Sequence, residues 1–70
     1  MGYAISTYAY GPTEEIATQA LIATLKVGGY HIIEAEADFI IISNYGKYRF
    51  IYEEIRADVI KANIFWLSEI

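Results

Sequence analysis

Seventy residues with no cysteine and a formal net charge of −4 make one domain, residues 1–70, and exclude disulfides and thiolate metal centres as staples. The charge disfavours a phosphate-tracking surface, which needs clustered Lys and Arg, and only five such residues are present. A chain this short buries only roughly 60% of its unfolded surface, so its apolar content of 56% points to oligomerisation as the missing support.

The first thirteen residues carry no charged side chain, so the basic start of a secretory signal is missing. No apolar run approaches the roughly 18 residues of a membrane span. A soluble, cytoplasmic protein is expected. Scarcity of Cys, Met, Asn and Gln follows a thermophile tendency and suggests a thermophilic source, cellular or viral.

Tyr3 to Tyr10 is rich in Tyr, Ile and Thr and reads as a first strand. Gly11-Pro12 breaks it. Pro12 suits a helix start, and Glu14 and Glu15 lie where the positive end of the helix dipole favours them. A helix to Val27 follows, with a stripe of Ile16, Ala20, Ala23 and Val27 widened by Ala17, Leu21 and Leu25. Ile22 points away from it. Lys26 sits in the last turn and Gly28-Gly29 closes the helix.

From Tyr30 the apolar period changes to two. Ile33, Ala35 and Ala37 alternate with Glu34 and Glu36 in a half-buried strand. Phe39 to Ser43 is an aliphatic strand. Ser43-Asn44-Tyr45-Gly46-Lys47 is a turn, with Asn and Gly supplying unusual backbone angles, and Lys47 to Glu53 is its partner strand. Tyr48, Phe50 and Tyr52 then stand in a row on one face. Glu54 to about Ser68 reads as a second helix, with Ile55, Val59, Ala62 and Trp66 on one face. Phe65 falls on its polar side.

Three constellations bear on chemistry. Glu34, Glu36 and Asp38 share a strand face and have the charge to hold Mg²⁺ or Ca²⁺. The simpler reading is a solvated face paired across the sheet with Lys47 and Arg49. An acidic helix (Glu14, Glu15), then G-G-Y-H-I-I, Asp38 in A-D-F-I-I-I, and Glu54-Ile55-Arg56 resembles the core of PD-(D/E)XK nucleases. That resemblance implies Asp38 and Glu54 as metal ligands, with Arg56 replacing the family's Lys. Arginine stays protonated and cannot act as a base, so the resemblance implies a degenerate site. The segment K-Y-R-F-I-Y loosely resembles the aromatic and basic strand of RNA-recognition motifs. That likeness implies Tyr48, Phe50 and Tyr52 as a platform for bases, with Lys47 and Arg49 nearby. His31 has no second His or Cys to form a transition-metal site, and no serine stands in a nucleophile motif.

The expected fold is α+β: a small, mainly antiparallel sheet of three to four strands with two helices packed on one face, in the order β-α-β-β-β-α. The expected function is a non-enzymatic protein–protein interaction module. It forms a homodimer and acts as an assembly subunit or as a small inhibitor or regulator of a larger protein. Tyr45, Tyr48, Phe50, Tyr52 and Phe65 are the expected contact residues, because aromatic side chains give large contact area at low entropic cost. No catalytic residue, metal or cofactor is expected. The partners are a second copy or another protein, not nucleic acid or membrane. The alternatives are the degenerate nuclease-like domain and single-strand nucleic-acid binding on the aromatic row.

Overall fold

The computed structural model describes residues 5–69. Strand β1 (Tyr8–Gly11) leads into helix α1 (Glu14–Val27), followed by β2 (Ile32–Ala35), β3 (Phe39–Ile42), β4 (Gly46–Arg56) and β5 (Val59–Ser68). All neighbouring strands are antiparallel, in the order β1-β5-β4-β3-β2. The sheet curls around α1 as a half-barrel. The expected fold therefore needs correction: the described residues form one helix and five strands, not two helices and three or four strands. Of the expected first strand, Tyr3 and Ala4 lie outside the described residues, and pairing begins only at Tyr8.

The second helix is the element that fails, and β5 replaces it. Ile55, Val59, Ala62 and Trp66 do sit at helical spacing, yet Ala62, Ile64 and Trp66 also alternate with Lys61, Asn63 and Phe65. Val59, Ile60, Ile64, Phe65 and Trp66 are β-branched or aromatic residues that fit a pleated surface. The turn before β5 carries no Gly or Asn: Arg56 pairs with Val59 across Ala57-Asp58, and neither turn residue takes a positive φ. An exposed ion pair, Arg56 Nε to Asp58 Oδ1 at 2.9 Å, spans the turn. This hairpin lacks the glycine signal by which such turns are recognised.

Helix α1 is capped at both ends. Thr13 Oγ1 accepts a hydrogen bond from the Ile16 amide at 3.2 Å, the expected N-cap contact. At the other end Gly29 takes φ 92°. Its amide donates to Lys26 O and the Tyr30 amide to Leu25 O, each at 3.1 Å, which is the paired bonding of a Schellman close. The buried stripe is Ala17, Leu21 and Leu25, four residues apart. Ile16 and Val27, expected in the stripe, are exposed. Ile22, expected to point away, packs half-buried against the core.

That stripe lies on Ile40 and Ile42 of β3, Tyr48 and Phe50 of β4, and Ala62 of β5. The register fixes which side chains accompany them. Tyr48 lies opposite Ile40 and Trp66, Phe50 opposite Ile64, and Tyr52 opposite Ala62. At the rim, Thr18 Oγ1 donates to Glu14 O at 2.8 Å. With that proton spent, Tyr52 is the donor in the 2.6 Å bond between its hydroxyl and Thr18 Oγ1. This bond ties the first turns of α1 to β4 and contributes on the order of 1 kcal/mol.

Gly46 closes the β3–β4 hairpin with φ 121°, after Asn44 at φ 68°. A Cβ on Gly46 would overlap the carbonyl oxygen of Ser68 on β5. Gly46→Ala therefore combines backbone strain with a clash and is expected to lower stability by about 2–3 kcal/mol. A urea titration followed by tryptophan fluorescence measures it, and an unchanged midpoint would contradict this reading of the hairpin.

Candidate functional site on the uncovered face of the sheet

One helix covers one face of the sheet, and the pleat sends every second side chain to the other. The register arranges that other face in rows across the strands. Tyr10, Lys61 and Glu53 form one row, and Tyr8, Asn63 and Ile51 the next. Phe65, Arg49 and Phe39 form the third, and Lys47, Ile41 and Glu34 the fourth. Phe65 is 57% exposed and Ile51 42%. Tyr8, Tyr10 and Leu67 are exposed beside them.

Two of the cations on this face are seated on its rings. Lys47 Nζ lies 4.1 Å from the centroid of Phe39, and Lys61 Nζ lies 4.6 Å from that of Tyr8. Tyr8 and Tyr10 meet edge to face with centroids 5.5 Å apart. Such contacts contribute about 0.5–1 kcal/mol each at exposed sites and hold the long side chains down against the sheet. Three of the chain's five cationic residues (Lys47, Arg49, Lys61) stand here with two carboxylates, Glu34 and Glu53. The rest of the chain is strongly acidic.

The expected contact residues divide between the two faces. Tyr48 is 1% exposed and Phe50 4%, both under α1, so the aromatic row is core rather than an open platform. Tyr52 is half-buried in its bond to Thr18. Tyr45 is half-buried against the core, its ring edge to face with Tyr30 at 5.1 Å. Phe65 is exposed, on the sheet instead of on a helix. Tyr8, Tyr10, Ile51 and Lys61 escaped the sequence reading. The alternation of Tyr8 with Tyr10 and of Phe65 with Leu67 was the available signal.

The nuclease-like constellation is not assembled. The Phe50 amide donates to Asp38 O at 3.1 Å, which places Asp38 beside Phe50. Glu54 lies four residues further along β4, roughly 13 Å away at about 3.4 Å per residue. β2 ends at Ala35, so Glu36 and Asp38 lie beyond it and the three carboxylates do not continue one regular strand face. A groove of about 500 Å³ does gather Glu14, Glu15 and Glu36 near Tyr52. Among the described residues, however, no three His, Cys, Asp or Glu side chains converge as metal ligands. No helix among them is long and apolar enough to cross a membrane.

No protein-family model, curated protein or solved structure matches the chain.

Burial, and then the neighbouring Tyr30 and Tyr45, push the Tyr48 phenol above the ordinary tyrosine value of 10.0. The unfolded chain gives up this proton first as pH rises. Stability from Tyr48 is therefore fully present below about pH 10 and is lost as pH climbs through the folded-state value. Tyr48→Phe is expected to flatten the fall in stability above pH 10, measured as urea midpoints from pH 8 to 11.5. A slope equal to that of the wild type would contradict the burial of this hydroxyl.

Proposed function

We propose that this chain is a non-enzymatic binding protein whose working surface is the uncovered sheet face, and that its partner is another protein. One observation carries the reading: five of the nine exposed large apolar side chains among the described residues (Tyr8, Tyr10, Ile51, Phe65 and Leu67) stand together on that face. Exposed apolar groupings rimmed by polar groups mark interaction surfaces. Phe65 and Ile51 form the apolar centre, Arg49 stands on the central strand between Phe65 and Phe39, and Lys47 and Lys61 border the grouping on either side.

Charge complementarity selects the partner: an apolar patch bordered by Asp and Glu on a larger protein, which this chain serves as an assembly subunit or as a small inhibitor or regulator. A single strand of nucleic acid fits less well. Glu34 and Glu53 share the face, the whole chain is acidic, and two ammonium groups already occupy the faces of Phe39 and Tyr8. The Tyr48, Phe50 and Tyr52 platform is buried or half-buried, which removes the surface on which that alternative rested.

Selection from a displayed random-peptide library on the folded chain tests the proposal. Enriched peptides are expected to combine aromatic or aliphatic residues with Asp and Glu. Their affinity should fall about tenfold with Phe65→Ala, as for a central contact residue, and also with Arg49→Glu. Enrichment indifferent to both variants would overturn the proposal. So would tight, salt-sensitive binding of a fifteen-residue oligothymidine in the same buffer, which would move the face to nucleic acid.

A further inference from the structure

Three cations stand on the uncovered face, and the fold treats them differently. Lys47 and Lys61 are half-buried, with their ammonium groups 4.1 Å and 4.6 Å from the ring centroids of Phe39 and Tyr8. Arg49 is exposed. Among the described residues it makes no ion pair, hydrogen bond or ring contact. Away from this face, Arg56 pairs with Asp58, and Lys26 lies in the last turn of α1, where the helix dipole favours it.

The position of Arg49 is set by β4, the middle strand of the sheet. Phe65 of β5 lies opposite it on one side and Phe39 of β3 on the other. Residues opposite each other across strands have Cβ atoms about 4.5–5.5 Å apart, so the Arg49 stem rises between two rings. The rings are not equivalent. Phe39 is half-buried with Lys47 over its face, whereas Phe65 is 57% exposed. The carboxylates of this face are distant. Glu53 lies four residues along β4, roughly 13 Å away at about 3.4 Å per residue. Glu34 belongs to β2, two strands from β4, which is roughly 10 Å at about 4.8 Å per strand.

We infer that Arg49 is the specificity-determining residue of this face. Its guanidinium takes one Asp or Glu carboxylate of the partner, while an apolar side chain beside that carboxylate packs on Phe65. The inference deepens the proposed function and rests on it. A guanidinium holds its N–H donors in a rigid fork that meets a carboxylate with two parallel hydrogen bonds. Charge complementarity selects a carboxylate over a phosphate. One guanidinium matches one carboxylate charge, whereas a phosphate monoester carries about −1.5 to −2 at pH 7 and needs more than one cation. The two nearby ammonium groups are already seated on rings, and the chain's net charge of −4 opposes a dianion. An ammonium is a point charge without the fork. Arg49→Lys therefore keeps the charge of the face and removes its recognition.

Titration of the full chain with 3-phenylpropionate, a carboxylate carried next to a ring, tests this by NMR. The Arg49 Nε–H signal and the Phe65 ring signals should shift together, with a dissociation constant in the millimolar range. Arg49→Lys should weaken binding about tenfold, the loss of a charge-assisted bidentate pair. The remote Lys26→Ala should leave it within about threefold. The neutral 3-phenylpropanol and inorganic phosphate should each bind about tenfold more weakly than the carboxylate. Equal binding by Arg49→Lys, or equal binding of the alcohol, would overturn the inference. Phosphate binding as tightly as the carboxylate would overturn it too, by making the site a phosphate reader. The library peptides separate this inference from the wider proposal. Peptides that depend on Phe65 but bind Arg49→Lys as well as the wild type would leave the face a protein-binding surface and sink this inference alone. Arg49 is exposed and keeps its charge in Arg49→Lys, so amide signals of the core should stay in place and show that the variant is folded.

Discussion

The contact on which the rest of this structure depends is the burial of one narrow helical stripe, Ala17, Leu21 and Leu25, against the inner face of the sheet, in one cluster with Tyr48 and Phe50 of β4. These side chains are the centre of the buried core. A fully buried Leu contributes about 1.5–3 kcal/mol, and a core of this size supplies only about 3–5 kcal/mol net, so no part of it is spare. The start of the helix lies close to Gly11, which has no Cβ to hold it off. A Cβ on Gly11 would meet the Ala17 amide nitrogen at 2.6 Å.

From that contact follows an asymmetry. The helix has one partner face, and the sheet has two. The strands are amphipathic in an unusual sense: β4 places Tyr48 and Phe50 inward but Arg49 and Ile51 outward, and β5 places Ala62, Ile64 and Trp66 inward but Phe65 and Leu67 outward. Antiparallel sheets tolerate one solvated face, but that face is normally polar. Here it carries rings with ammonium groups resting on them. The binding proposal arises from this mismatch between the apolar surface the chain makes and the surface one helix can cover.

Much of this was legible in the sequence. The capped helix was, because Thr13, Glu14, Glu15, Lys26 and Gly28-Gly29 each act locally. So was the β3–β4 hairpin, because Asn44 and Gly46 mark it by their backbone freedom. The alternation of Tyr48, Phe50 and Tyr52 was also plain. What it could not decide was whether the row faces inward, since that depends on where α1 lands. The last third of the chain misled for a local reason. Val59, Ala62 and Trp66 satisfy a helical period as well as a strand contains them, and the Ala57-Asp58 turn gives no residue-level warning. The strand is chosen by a long-range partner, since nine residues of β4 pair with β5 and a free helix would leave that pairing unmade. Phe65, singled out for lying on the polar side of an expected helix, is instead an exposed residue of β5.

The central claim is that the last third of the chain is a strand that completes one sheet, leaving the face opposite α1 uncovered. Through-space proton contacts measured by NMR on the uniformly labelled chain test this most directly. The account predicts cross-strand backbone contacts between Phe50 and Ile64 and between Tyr52 and Ala62, with the Phe50 ring close to the methyl groups of the Leu21 and Leu25 layer. Sequential helical contacts three residues apart from Val59 to Trp66, with no contact to β4, would contradict it.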